Sequence, residues 1–380
     1  MNILIFPTTY PNIYNQNASI FVQDQAKALV NAGVDVDVVG AIPISFKDIF
    51  NKKLFRFGSF VSEKDKINVH IFLFPSIPKL RVFNQFIRGL LNRWLLKKHL
   101  KSNRVDVIHV HNSTAGEMAL WAKEKYNIPF VVTEHSTAFA RNILSKNEIQ
   151  KYKKIYEVSY TNIAVSREFC VLLEKIYRVE FRYIPNVVDT QYFNKVKKVK
   201  KEFTFINIGY LEKKKNQILL INSFSKAFKD SENIKLFIVG GGLEYDNLQK
   251  EIDKLNMQKQ IKLFGFATRK QVLDKLQDSD AFVLSSKYET FGVVLIEAMS
   301  CGLPTISTKC GGPESIITDD RLGMLIENED DLSEAMQKVY QNYKDYDCNF
   351  IRNYAIENFS QKAVSKKLID IYKEIVNAQN

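Results

Sequence analysis

Along almost its whole length the chain alternates short apolar runs with segments of helical period, and it does so in two blocks. In the first block, residues 3–6 are an apolar run. Residues 21–32 carry apolar side chains at Phe21, Ala26, Ala28, Leu29 and Val30 and stop at Gly33, and 34–39 alternate as a strand. Strand signals follow at 105–110, 130–133 and 161–165, with a helical segment at 115–126. The second block repeats the rhythm, with strands at 204–208, 235–239, 261–264 and 281–284 and helices at 217–228, 245–255 and 269–277. A helix between two strands returns the chain to the same end of the sheet, so such a pattern predicts parallel sheets with helices on both faces. The blocks are separated near residues 185–201, which end in a lysine-rich stretch, and 380 residues suit two cores better than one. The expected organisation is α/β, with domains at 1–187 and 188–359 and a last helix at about 360–378 that no strand follows.

The densest chemistry lies between Ser286 and Pro313. Two carboxylates, Glu289 and Glu297, have seven residues between them. The segment follows the apolar run 281–285, continues as a helical stretch at 293–300, stops at Gly302, and resumes as a strand at 304–308. This order puts Glu289 in a loop at the carboxyl end of a strand and Glu297 about one turn into the following helix. The helix N-terminus between them offers unpaired N–H groups and the positive end of a dipole, a site suited to a phosphate or diphosphate. Each carboxylate then reaches a different side of a bound diphosphate, as the sugar and ribose of a sugar nucleotide require.

The motif Glu289-Thr290-Phe291-Gly292 through Glu297, with Gly302-Leu303-Pro304 and Gly311-Gly312-Pro313, resembles the signature of the retaining glycosyltransferases of family four, of the bacterial polysaccharide hexosyltransferase kind. Four other segments agree with it: Ile184 to Asp189, Asn207 to Asn216, Phe237 to Gly242, and Leu263 to Phe266. The resemblance runs through nearly all of the C-terminal half and only loosely through the N-terminal half. It implies the GT-B fold: two Rossmann-like doubly wound domains facing across a cleft, with the C-terminal helix (360–380) crossing back to the N-terminal domain.

The resemblance also implies roles. Glu289 faces the donor sugar, and Thr290, Phe291, Gly292 and Val293 present backbone to sugar and phosphate. Glu297 holds the ribose. Gly209, Tyr210 and Lys215 belong to the phosphate loop, with Lys215 neutralising the leaving diphosphate. Tyr210 stands where the family has an arginine, and a phenol cannot grip phosphate bidentately as a guanidinium does. Lys213 and Lys214 either compensate or form a solvated turn. His135, at the end of strand 130–133, is the expected N-terminal catalytic residue. Asn17, Ser19 and His111 are expected on the acceptor side, although Asn17-Ala18-Ser19 replaces the glycine pair usual in the family.

The remaining motifs are read from the residues. His109 and His111 share one face of a strand, and without a third ligand they line a cleft rather than hold a metal. Asp278-Ser279-Asp280 and Asp35-Val36-Asp37 fall where no ligand is expected and read as structural. Gly240-Gly241-Gly242 lacks the spacing of a dinucleotide fingerprint. The resemblance implies no cofactor and no metal, since in the GT-B fold a lysine and a helix dipole offset the leaving-group charge.

The net charge of +12 requires an anionic partner, and no nucleic-acid motif accompanies it. Residues 81–104 set Phe83, Phe86, Ile87, Leu90, Leu91, Trp94 and Leu95 at helical spacing among Arg88, Arg93, Lys97, Lys98 and Lys101. This is either a domain helix with one buried stripe or a helix lying on an anionic membrane surface. The four cysteines make no framework of paired spacings, the N-terminus reads as a first strand, and no apolar run approaches the roughly 20 residues of a membrane span. The expectation is a cytoplasmic, peripherally membrane-bound glycosyltransferase. Its donor would be UDP- or GDP-linked, and its acceptor a glycan or lipid-linked glycan in surface polysaccharide synthesis. An epimerase-like enzyme of the same fold and a two-lobed sugar-binding protein are the alternatives.

Overall fold

The computed structural model describes residues 1–195 and 202–379, the side chains of Lys64 and Arg81 excepted. Residues 196–201 of the lysine-rich connection lie outside the described residues. The chain forms two compact units, one of Met1–Val165, Cys170–Val187 and Gln361–Asn380, the other of Ser166–Phe169 and Val188–Ser360.

The first unit runs β1 (Asn2–Pro7), α1 (Ile20–Asn31), β2 (Asp35–Ser45), α2 (Phe46–Lys52), β3 (Gly58–Lys64), β4 (Ile67–Ser76), α3 (Arg81–Leu100), β5 (Val107–His111), α4 (Gly116–Tyr126), β6 (Phe130–Glu134), α5 (Lys146–Val158), β7 (Thr161–Ala164), α6 (Arg167–Tyr177) and β8 (Arg182–Tyr183). The strands order as β3-β4-β2-β1-β5-β6-β7-β8. The pairs are parallel except β3 with β4, an antiparallel edge hairpin that the alternating pattern did not predict. In β1, Ile3 to Phe6 are all buried, because β2 and β5 flank the strand and both of its faces are covered. Strand β2 extends to Ser45, well past the expected end at residue 39, because β4 pairs with it as far as Ser45 opposite Ser76.

The second unit runs β9 (Phe203–Ile208), α7 (Gln217–Phe228), β10 (Ile234–Val239), α8 (Tyr245–Lys254), β11 (Ile261–Leu263), α9 (Arg269–Gln277), β12 (Ala281–Leu284), α10 (Val293–Ser300), β13 (Thr305–Thr308), β14 (Gly323–Ile326), α11 (Leu332–Gln341) and α12 (Cys348–Phe359). Its strand order is β11-β10-β9-β12-β13-β14, with every pair parallel. The connections leave β9 toward β11 and leave β12 toward β14, so the order reverses between β9 and β12. Ligands bind outside the carboxyl ends of strands at such a point.

The last helix, α13 (Gln361–Asn377), joins the core of the first unit, where Val364, Leu368, Ile371, Tyr372 and Ile375 are buried. Burial of each such side chain contributes roughly 1.5–3 kcal/mol relative to exposure.

Candidate active site

The loops after β9 and β12 meet at the point where the strand order of the second unit reverses. Ser285 and Ser286 follow β12 directly. The Ser285 hydroxyl donates to the carbonyl of Lys215 (3.0 Å), and the Ser286 hydroxyl donates to Glu289 Oε1 (2.8 Å). The same carboxylate oxygen is ion-paired with Lys215 Nζ. The Glu289 N–H donates to the Cys310 carbonyl at 3.0 Å, fixing the loop from the other side. The sequence reading singled out Lys215 and Glu289 but missed both serines. Their signal was the Ser-Ser pair that ends the apolar run of β12.

Helix α10 begins directly after this loop. Its cap is Gly292 at φ 109°, a conformation that favours glycine, and neither a side-chain cap nor an acidic residue occupies its first turn. The positive end of the helix is therefore not neutralised from within. Phe291 is 1% exposed and packs on Phe359, so only its backbone faces the loop. Gly312 crosses this backbone so closely that a Cβ there would lie 2.4 Å from Phe291 N. Thr290 is buried, and Val293 and Glu297 are half-buried on the first turns of α10. Gly209 lies beside the methylenes of Lys215. Tyr210 is 49% exposed and turned edge-on toward the exposed Phe266, with ring centroids 6.1 Å apart. Lys214 pairs with Glu212 at 3.4 Å, and Lys213 is exposed.

Three of the first unit's five histidines gather at the carboxyl ends of β5 and β6. His109 and His111 share one face, as alternation requires, and their rings stack with centroids 4.5 Å apart. They do not line an open surface, however. Both are buried, and so His111 is a support rather than the acceptor contact expected of it. Gln25 of α1 reaches both rings, and Tyr372 of α13 meets His109 Nδ1 at 2.5 Å. Thr133 holds His109 Nε2 at 2.7 Å. The Gln25 amide donates to His111 Nε2 (3.3 Å), so the neutral ring carries its proton on Nδ1 and donates to His135 Nε2 at 3.0 Å. His135 in turn packs on Phe21, with ring centroids 4.5 Å apart. Burial holds all three imidazoles neutral, with His109 and His135 pushed down to about 3 and His111 also well below its ordinary value.

Glu134, which the sequence reading passed over between Thr133 and His135, anchors this loop. Its fully buried carboxylate accepts from Ser113 N–H (2.9 Å), Tyr156 hydroxyl (2.7 Å), His135 N–H (3.0 Å) and Ser136 N–H (2.9 Å). Arg88 of α3 likewise donates to the carbonyls of Pro7 and Thr8, where β1 ends. Ser19 has a left-handed backbone (φ 46°) before α1, and its hydroxyl meets Thr9 Oγ1 at 2.5 Å. Asn17 is exposed in the same loop.

The aspartate pairs are structural. Asp280 accepts the Thr204 N–H at 2.8 Å, and Asp37 accepts from Asn68 at 2.9 Å. Among the described residues no group of three or more His, Cys, Asp or Glu is placed to hold a metal, and no helix is long and apolar enough to cross a membrane.

A sequence profile described as "Glycosyl transferases group 1" matches residues 188–358, and one described as "Glycosyltransferase Family 4" matches 18–192. A probable sucrose-phosphate synthase of Thermosipho melanesiensis is 26% identical over 89% of this chain and 85% of its own. An Escherichia coli UDP-Gal:alpha-D-GlcNAc-diphosphoundecaprenol alpha-1,3-galactosyltransferase is 24% identical over 81% of this chain and 85% of its own. The crystal structure of Anabaena HepE in complex with UDP superposes with a TM-score of 0.76 at 16% identity, covering 98% of this chain and all of that one (100%).

Proposed function

The chain belongs to the glycosyltransferases of family four, enzymes of the GT-B fold that use sugar-nucleotide donors, and on that premise we propose that it is a retaining hexosyltransferase of surface polysaccharide synthesis. The donor is a UDP- or GDP-sugar and the acceptor a lipid-linked glycan. The UDP in the HepE structure and the diphosphoundecaprenol acceptor named for the E. coli relative support this choice.

The observation that carries the reading is the Lys215–Glu289 pair beside the uncapped start of α10. In this reading the diphosphate lies at the α10 N-terminus. Lys215 shifts onto it and offsets the charge that grows as the sugar–phosphate bond breaks. Glu289, released from Lys215 but still held by Ser286, orients the donor sugar. Glu297 takes the ribose hydroxyls. The diphosphate oxygen accepts the acceptor's proton on the face the leaving group vacates, which retains configuration. His135 contributes from the first unit as a neutral hydrogen-bonding group, and Asn17 and Ser19 meet the acceptor. No metal enters the reaction. The protein works in the cytoplasm on an anionic leaflet.

The test is a melting-temperature screen against UDP-, GDP-, ADP- and dTDP-sugars, because a ligand that binds only the native state stabilises it by mass action. A rise with UDP- or GDP-sugars that Lys215→Ala removes is the expected result. The absence of a rise with any sugar nucleotide, or an equal rise in the variant, sinks the donor-site reading.

A further inference from the structure

We infer that the first unit contacts the lipid surface through the rim where β2 and β4 end, and not along the length of α3. This deepens the lipid-linked acceptor reading and rests on it. Ser45 and Ser76 are register partners at the ends of two adjacent parallel strands, so α2 and the segment leading into α3 leave the sheet at the same edge. Both departures carry large apolar side chains into solvent. Phe50 is 62% exposed, Phe55 65%, Leu80 51%, Val82 81% and Phe86 61%, with Phe46 at 39%. Isolated exposed apolar residues are ordinary, but two such groups on segments that leave the same end of the sheet, with Phe46, Phe50 and Phe55 packed ring against ring in one of them, mark an interaction surface.

The charge identifies the partner. Lys47, Lys52, Lys53, Arg56 and Lys79 are exposed within the same two segments. Residues 46–57 and 77–86 contain one acidic residue, Asp48, which is occupied at the start of α2 with the Ser45 hydroxyl and N–H–to–Ser45 contacts. Aromatic and aliphatic tips among cations suit the headgroup region of an anionic bilayer. The far half of α3 differs: Asn92, Leu95 and Leu96 are buried, and Trp94 is the large apolar side chain it leaves exposed, among Arg93, Lys97 and Lys98, so it presents charge more than an apolar rim.

The rim is tied to the loop assigned to the acceptor. The Tyr14 hydroxyl bonds with the carbonyls of Leu54 and Arg56 and with the Arg56 N–H, each at 3.0 Å, and Tyr14 lies three residues before Asn17. Contact at residues 54–57 therefore bears directly on the loop that holds Asn17 and Ser19. A glycan on a lipid carrier would be met where its anchor is embedded.

The experiment is flotation of the full chain with vesicles of phosphatidylcholine alone and of phosphatidylcholine mixed equally with phosphatidylglycerol. The protein is expected to float with the anionic vesicles and not with the neutral ones. Phe50→Ser with Phe55→Ser and Phe86→Ser should lower that partition by about tenfold or more, with the melting temperature unchanged, since these side chains are exposed. Lys52→Glu with Lys53→Glu should weaken the preference for anionic lipid. Failure of the wild type to float overturns the inference, as does flotation of the triple-phenylalanine variant at the wild-type level. It is equally overturned if sedimentation finds a dimer that the phenylalanine changes dissolve while vesicles bind neither form. Vesicle binding without sugar-nucleotide binding would count against the transferase reading alone. Sugar-nucleotide binding without vesicle binding would count against this inference alone.

Discussion

The ammonium of Lys215 sits on the same oxygen of Glu289 that accepts the hydroxyl of Ser286. Residues 74 apart in sequence are thus locked together at one carboxylate, with 18% of the lysine side chain and 11% of the glutamate side chain exposed. A half-buried pair of this kind holds both charges in place before any ligand arrives. It also means that loss of either partner leaves the other uncompensated.

The pair should therefore behave as one unit. Glu289→Ala and Lys215→Ala should each lower transfer by about a hundredfold or more, the scale of losing one charge-stabilising group in an active site. The double variant should lose little beyond the worse single one, because the two side chains share one interaction. Steady-state transfer rates for the three variants decide this. Independent, multiplying losses would show that the two residues act at separate places.

Tyr210 stands in the loop after β9 at the position where the resemblance to family four implies an arginine, so the loop offers a phenol in place of a guanidinium. Tyr210→Arg should tighten sugar-nucleotide binding by about tenfold, since a guanidinium makes paired, charge-assisted hydrogen bonds to phosphate. Calorimetric titration of the wild type and the variant provides the comparison. Equal affinity would mean that the loop does not direct position 210 at the diphosphate.

Acid should weaken the first unit through its histidines. His109, His111 and His135 are held neutral in the fold, their pKa values depressed below 6.5 by burial. Once unfolded, each takes up a proton near its ordinary value. The stability they support is therefore complete above about pH 6.5 and lost as pH falls toward the depressed values, by up to about 1.4 kcal/mol per pH unit for each imidazole. The melting temperature should fall between about pH 7 and about pH 5, and less steeply in a His109→Gln variant. A flat profile in the wild type would show that these rings protonate without opening the fold.

Elements whose local signals agreed with their tertiary setting were legible in sequence. Helices α7 and α10 and strand β12 end where the reading put them, because buried runs bounded by clear stops leave little choice. Residues 46–76 were not legible. Exposed Phe46, Phe50 and Phe55 mimic core positions and blur any helical period, and β3 is an edge strand whose Val61 faces solvent. Helix α5 was overlooked although Ser145 and Glu148 form a capping box that could have marked its start. In the site, Lys215 and Glu289 were found by motif, whereas their direct pairing is a property of the folded sheet. The links from Tyr372 and Gln25 to His109 were beyond sequence reading, since they join the last and first helices to a central strand across 263 and 84 residues.

The return of α13 to the first unit has a consequence for synthesis of the chain. Val364, Leu368, Ile371, Tyr372 and Ile375 complete the core that begins with Ile3 and Ile5. A nascent chain usually folds its leading domain while the rest is still being translated. Here the leading domain lacks a wall of its interior until residues 361–377 have left the ribosome, by which time the intervening unit is already made. The first unit is made early and closes late, so a stalled ribosome or a stop codon before α13 would leave exposed apolar surface in the first unit, hundreds of residues away in sequence from the lesion.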